Sequence, residues 1–191
     1  APSDENELNN CVATSTFIND RPSAFRYPRG EGIGVKINEK PELWEIGKGK
    51  IIREGNKTCI ISLGSRLRDS LLASEILASY GLSTTVVDAR FAKPIDELLI
   101  TQLARDHEVL VSVEEGSIGG FSAQIMSFLA KSAALDKGLK FRPLFFPDKF
   151  INHGKPDQQN IECGIDTHSI VKTVLGALGI AAPSKISLER A

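Results

Sequence analysis

The sequence predicts a three-layer α/β domain built on a mixed, mostly parallel sheet, and three observations carry that prediction. From Gly47 onward, short apolar runs alternate with helix-length segments, and a strand followed by a helix and another strand needs a crossover, which favours parallel pairing. The run Val109 to Glu114, continuous in apolar residues through Val111 and apolar again at Val113, has the composition of a buried strand. Helix punctuation sits where this alternation needs it, with Gly81 ending one segment and Asp96 opening the next.

In chain order, Asp4 and Glu7 have the spacing of a capping box, with Leu8, Cys11, Val12 and Ser15 following at helical intervals, so a helix is expected from Asp4 to Ile18. Arg21-Pro22 then turns into a short strand, Ala24 to Arg26. The glycines of Gly30 to Gly34 and the Pro41 region have the composition of a loop and linker. One helix and one strand bury little surface, so residues 1–34 are expected to be the end of a domain whose remainder lies upstream, with 35–46 a linker.

Lys50 to Arg53 and Thr58 to Leu63 flank Glu54-Gly55-Asn56-Lys57, a turn signal that predicts an antiparallel hairpin. A helix from Arg66 to Tyr80, the strand Thr84 to Asp88, and a helix from Asp96 to His107 follow. Beyond the buried strand, a helix over Phe121 to Ala134, a strand over Phe141 to Phe146 and a last helix over Thr167 to Leu178 complete a domain spanning 47–179. Residues 180–191 are expected to be a disordered polar tail.

Composition excludes several classes of function. Net charge is −1 with acids and bases interspersed, which leaves no electrostatic footprint for nucleic acid or a membrane surface. No apolar run reaches the roughly 20 residues of a membrane-spanning helix. The chain is expected to be intracellular. Cys11, Cys59 and Cys163 lack both zinc-site spacing and disulfide density, so free thiols are expected, Cys59 as a core residue; no metal site is expected from the scattered histidines. The turn Leu63-Gly64-Ser65-Arg66 holds one glycine where a dinucleotide fingerprint needs three.

Two segments carry candidate chemistry. In Arg26-Tyr27-Pro28-Arg29-Gly30, two guanidiniums beside a proline-fixed backbone can bind a phosphate in a bidentate way, or can lie on a solvated surface. In Glu114-Glu115-Gly116-Ser117-Ile118-Gly119-Gly120, acids end a strand and glycines lead into a helix. That segment can hold an anion or a partner's backbone; alternatively, the carboxylates cap the helix and the glycines admit close packing, the reading that mutual repulsion of two acids and an anion favours. Asp88, Arg90 and the Lys93-Pro94-Ile95-Asp96 run are expected to form an architectural turn with surface or interface ion pairs. His153, before Gly154, is expected to be a satisfied turn histidine; a general base is the other reading, with no nucleophile near it in sequence.

These motifs resemble a known family. Ala1-Pro2-Ser3-Asp4-Glu5-Asn6-Glu7-Leu8, the Arg-Tyr-Pro-Arg-Gly segment, Val87-Asp88-Ala89-Arg90-Phe91-Ala92-Lys93-Pro94-Ile95-Asp96, the Glu-Glu and Gly-Gly pairs, and Pro147-Asp148-Lys149-Phe150-Ile151 with His153-Gly154 are similar to 1-deoxy-D-xylulose-5-phosphate synthases of the transketolase superfamily. The resemblance implies a transketolase C-terminal-like domain over 47–179, preceded by the end of the pyrimidine-binding domain. It implies a homodimeric parent in the cytoplasm, or in the plastid stroma of a plant, that condenses pyruvate with D-glyceraldehyde 3-phosphate. Thiamine diphosphate and magnesium are the family's cofactors, bound upstream of this segment, so no catalytic, cofactor or metal residue is expected here and the segment alone is expected to be inactive. Arg26 maps onto the family's phosphate-contacting arginine, with Arg29 its neighbour. The alternatives are the C-terminal portion of a 2-oxo acid dehydrogenase beta subunit, which shares the Glu-Glu and Gly-Gly features, and a non-enzymatic α/β interaction module.

Overall fold

The computed structural model describes residues 1–181; the tail expected over 180–191 lies almost wholly outside the described residues. Five strands form one sheet in the order β1-β3-β2-β4-β5: β1 (Lys50–Arg53), β2 (Thr58–Leu63), β3 (Thr84–Asp88), β4 (Val109–Ser117) and β5 (Lys140–Phe146). All neighbours are parallel except β1 and β3. The predicted mixed, mostly parallel sheet is therefore observed.

Alternating side chains sort the core into two layers. Ile60 of β2 and Val109, Val111 and Val113 of β4 pack against α2 (Leu67–Ser79) and α6 (Thr167–Ala177). On the opposite face, Cys59 and Ile61 of β2 and Leu110 of β4 pack against α3 (Glu97–Asp106) and α4 (Phe121–Lys131). Cys59 is fully buried, as expected of a core thiol, and Cys11, Cys59 and Cys163 are all free. Asp96 caps α3 by accepting from Leu99 N at 3.0 Å, and Gly81, at φ +73°, follows α2.

Three expectations about elements need correction. The hairpin of β1 with β2 does not form, because β1 pairs with β3 instead. The turn at Glu54 to Lys57 steps across the start of β3, where a Cβ at Gly55 would stand 2.4 Å from the Thr84 carbonyl carbon. That glycine serves a backbone crossing and not a tight hairpin. The strand expected at Ala24 to Arg26 has no ladder partner among the described residues and is extended chain. A helix that the alternation did not reveal, α5 (Pro156–Cys163), opens on proline and is closed by Gly164 at φ +71°.

The first helix, α1 (Glu5–Ser15), is capped by Asp4, which accepts from Glu7 N at 2.8 Å. Its inward face is largely polar: Asn10, Cys11 and Thr14 are buried while Val12 and Phe17 are exposed. The reason is a second stretch of chain lying along it. Backbone N–H groups of Gly34, Asn38, Glu42 and Trp44 donate to the side chains of Glu5, Asn6, Asn10 and Thr14 at 2.6, 2.9, 2.8 and 2.8 Å. Residues 34–44 form a strap along α1, tied to it by these four bonds, of which the one from Trp44 is buried and has no water to replace it.

Candidate functional site at the carboxyl edge of the sheet

Parallel α/β sheets place ligands beyond the carboxyl ends of their strands, and there the chain forms a cavity of about 140 Å³. Leu63, Gly64 and Ser65 at the end of β2, Glu115 of β4 and Phe146 of β5 make its floor. Arg26, Tyr27 and Pro28 reach over it, with Ala1 and Pro2 beside them. The structure thus brings Arg26 to this edge, and leaves Arg29 exposed and outside the cavity wall. Arg26 is itself exposed and, among the described residues, in no ion pair, so its fork of donors is available to an oxyanion.

The two adjacent glutamates divide their roles. Glu114, 2 % exposed, turns back to α4 and accepts from Phe121 N at 3.0 Å and Ser122 N at 2.8 Å. A Cβ at Gly116 or Gly120 would stand 2.5 or 2.6 Å from its Oε2, so both glycines exist to admit this carboxylate. The capping role holds for Glu114, and its N–H partners are spent on it. Glu115 instead faces the cavity, accepting from Ser65 Oγ at 2.7 Å and lying 2.9 Å from Arg66 Nε. The Arg66 N–H points off that line, so the contact is an ion pair and not a directed hydrogen bond. Arg66 also pairs with Asp69 at 2.9 Å, and Thr167 Oγ1 donates to Asp69 at 2.9 Å. Arg66 is thereby shared between two carboxylates, Glu115 on the cavity floor and Asp69 behind it, and the three groups together carry one net negative charge. Gly64 and Ser65 were legible only as an incomplete glycine fingerprint; the usable signal was a glycine at the end of a buried strand.

Of the surface or interface ion pair expected of Arg90, the structure shows a buried one, between the sheet and α1. It is 7 % exposed, with a left-handed φ of +55°, pairs with Glu7 at 3.0 Å and lies 4.9 Å over the Trp44 ring. Asp88, at the end of β3, accepts from Ser3 Oγ at 2.9 Å and from Arg90 N at 3.0 Å. Burial pushes its carboxyl up to about 6, outweighing those hydrogen bonds. These groups fasten the start of the chain to the sheet. His153 lies on an exposed bend, in keeping with the turn expected there, and its ring has no hydrogen-bond partner among the described residues.

Among the described residues, no group of three or more His, Cys, Asp or Glu is placed to hold a metal ion. No helix among them is long and apolar enough to cross a membrane.

Comparison with known proteins bears on this geometry. Residues 47–170 match a family model described as Transketolase, C-terminal domain. Among solved structures, the chain is similar to "Split gene transketolase, inactive beta4 tetramer", with a TM-score of 0.75 at 23% identity, over 95% of this chain and 57% of that one. It is also similar to a transketolase mutant from Pichia Stipitis, with a TM-score of 0.50 at 17% identity, over 70% of this chain and 18% of that one. At these identities the likeness is one of fold. The chain spans little more than half the length of the first of these structures.

Proposed function

The chain belongs to the transketolase C-terminal domain family, and from that membership we propose that it is the C-terminal part of a 1-deoxy-D-xylulose-5-phosphate synthase. The whole enzyme, a homodimer in this proposal, condenses pyruvate with D-glyceraldehyde 3-phosphate to give 1-deoxy-D-xylulose 5-phosphate and carbon dioxide. The observation that carries the reading is Arg26: the segment Arg-Tyr-Pro-Arg-Gly, which resembles that of the synthases, stands over the carboxyl edge of the sheet, and its first guanidinium has no ion-pair partner among the described residues. A phosphate monoester is the ligand that such a fork suits best.

Thiamine diphosphate with magnesium supplies the carbanion chemistry of this family. In this reading both groups are held by parts of the enzyme outside this chain, whose own part is to hold the acceptor's phosphate through Arg26. Glu115, which shares Arg66 with Asp69, presents a hydrogen-bond acceptor on the cavity floor.

The test is Arg26→Ala in the whole enzyme. Loss of a charge-assisted hydrogen bond of about 1.5–3 kcal/mol raises KM for glyceraldehyde phosphate roughly 10- to 150-fold and leaves pyruvate KM nearly unchanged. Equal effects on both substrates would overturn the assignment. A second reading, supported by the likeness to the split-gene transketolase, is a transketolase-type transfer from a ketose phosphate. Donor choice separates the two, since only the pyruvate reaction releases carbon dioxide.

A further inference from the structure

Arg26 lies on an excursion, residues 16–33, that leaves the end of α1 and returns at Gly34. Among the described residues, no hydrogen bond or ion pair joins residues 18–33 directly to 47–181. The polar tethers of the excursion are therefore at its two ends. Both ends belong to α1: the outgoing chain continues from its last turn, and the returning chain is bonded to its side chains from Gly34 to Trp44.

Arg90 is where those two ends meet the sheet. Its guanidinium pairs with Glu7 of α1 at 3.0 Å and covers the ring of Trp44, which terminates the strap, at 4.9 Å. Its carbonyl accepts from Ala1 N at 2.6 Å, and Ala1 and Pro2 are cavity wall. The pair is desolvated, with the Arg90 and Glu7 side chains 8% and 14% exposed, and Arg90 adopts a left-handed backbone that an L side chain tolerates only when its surroundings fix it.

We propose that Arg90 is a positioning residue for the Arg26 site, which through Glu7 and Trp44 fixes both ends of the excursion and so sets how often Arg26 stands over the cavity to take a phosphate. This rests on the phosphate reading of Arg26 given above. The apparent dissociation constant is the intrinsic one divided by the fraction of chains in the competent position, so releasing the ends weakens binding without touching the ligand.

The probe is inorganic phosphate, titrated into the full chain and followed by 31P NMR. Arg26→Ala is expected to lose binding. Glu7→Gln, which leaves the Arg90 backbone untouched, and Arg90→Ala are expected to weaken it about tenfold, the result of cutting the competent fraction to about one in ten. Arg90→Lys, which keeps the charge facing Glu7 but not the planar cover on Trp44, is expected to fall between. In parallel, amide exchange at Gly34, Asn38 and Glu42 should quicken in Glu7→Gln while β4 stays protected, and the emission of Trp44, the single tryptophan, should shift. Wild-type phosphate affinity in Glu7→Gln and Arg90→Ala, with binding lost in Arg26→Ala, would overturn the positioning role and leave the phosphate reading standing. Undiminished binding in Arg26→Ala, or none in the wild type, would overturn the phosphate reading and the role that rests on it. Unchanged exchange in Glu7→Gln would overturn the positioning role whatever phosphate does.

Discussion

Glu114→Ala takes from the N-terminus of α4 the acceptor of two backbone N–H groups, those of Phe121 and Ser122 at 3.0 and 2.8 Å. Bonds to a charged acceptor are worth about 1.5–3 kcal/mol each, and the helix dipole adds about 0.3–1 kcal/mol. Against this stands relief from burying a carboxylate that is 2 % exposed, a penalty of several kcal/mol, so a net loss of about 3 kcal/mol is expected. Gly120→Ala would place a Cβ 2.6 Å from Oε2 and 3.2 Å from Oε1, and displacing the carboxylate costs about 2–3 kcal/mol as overpacking does. With Glu114 already truncated, that obstacle is gone. The double variant should therefore lose about 2 kcal/mol less than the two single losses together. Urea unfolding by circular dichroism, with linear extrapolation at constant slope, measures all four stabilities. Additivity within about 0.5 kcal/mol would show that the glycine does not serve the carboxylate, and would refute the argument.

The remaining expectations concern single groups. Asp88 holds its proton more tightly when folded, since its carboxyl is raised from 3.8 to about 6 by burial, so its contribution to stability is full below pH 3.8 and is lost as pH rises through about 6; the swing is about 3 kcal/mol at about 1.36 kcal/mol per unit. Asp88→Asn should remove that slope, and an unchanged slope would assign it elsewhere. In the folded chain the half-buried Cys163 should react with iodoacetamide well before Cys59, whose thiol burial pushes up; equal rates by mass spectrometry would contradict the two-layer core. Calorimetric titration with thiamine diphosphate and magnesium should give no specific binding to this chain, and micromolar affinity would contradict the assignment of the cofactor to other parts of the enzyme.

How much the residues disclosed depended on whether the relevant partner was local. β3 and the caps Asp4 and Asp96 were legible because alternation and capping act within a few residues. Glu114 was legible as a helix cap for the same reason, being seven residues from the N–H of Phe121. The pairing of β1 was not legible: Gly55 carries the same turn signal whether the chain reverses into a hairpin or crosses a strand that occurs thirty residues later. At α5, proline and glycine stand at the two ends, but its polar composition shows no apolar stripe and the alternation passes over it.

The candidate site divides along the same line. The Arg-Tyr-Pro-Arg-Gly segment could be found as a motif, yet nothing in its spacing separates a phosphate site from a solvated pair of arginines. What separates Arg26 from Arg29 is the path of α1 and its strap, and that path is encoded by polar side chains on a buried face. Hydrophobic periodicity is blind to such a face, because Asn10 and Thr14 count as solvent-facing residues until the amides of Glu42 and Trp44 are placed against them. Burying those groups unpaired would cost about 1–3 kcal/mol each, so helix and strap must hold each other or separate together. A device of that kind is suited to setting position, and the residue it sets in place is the one arginine of the motif that reaches the carboxyl edge of the sheet.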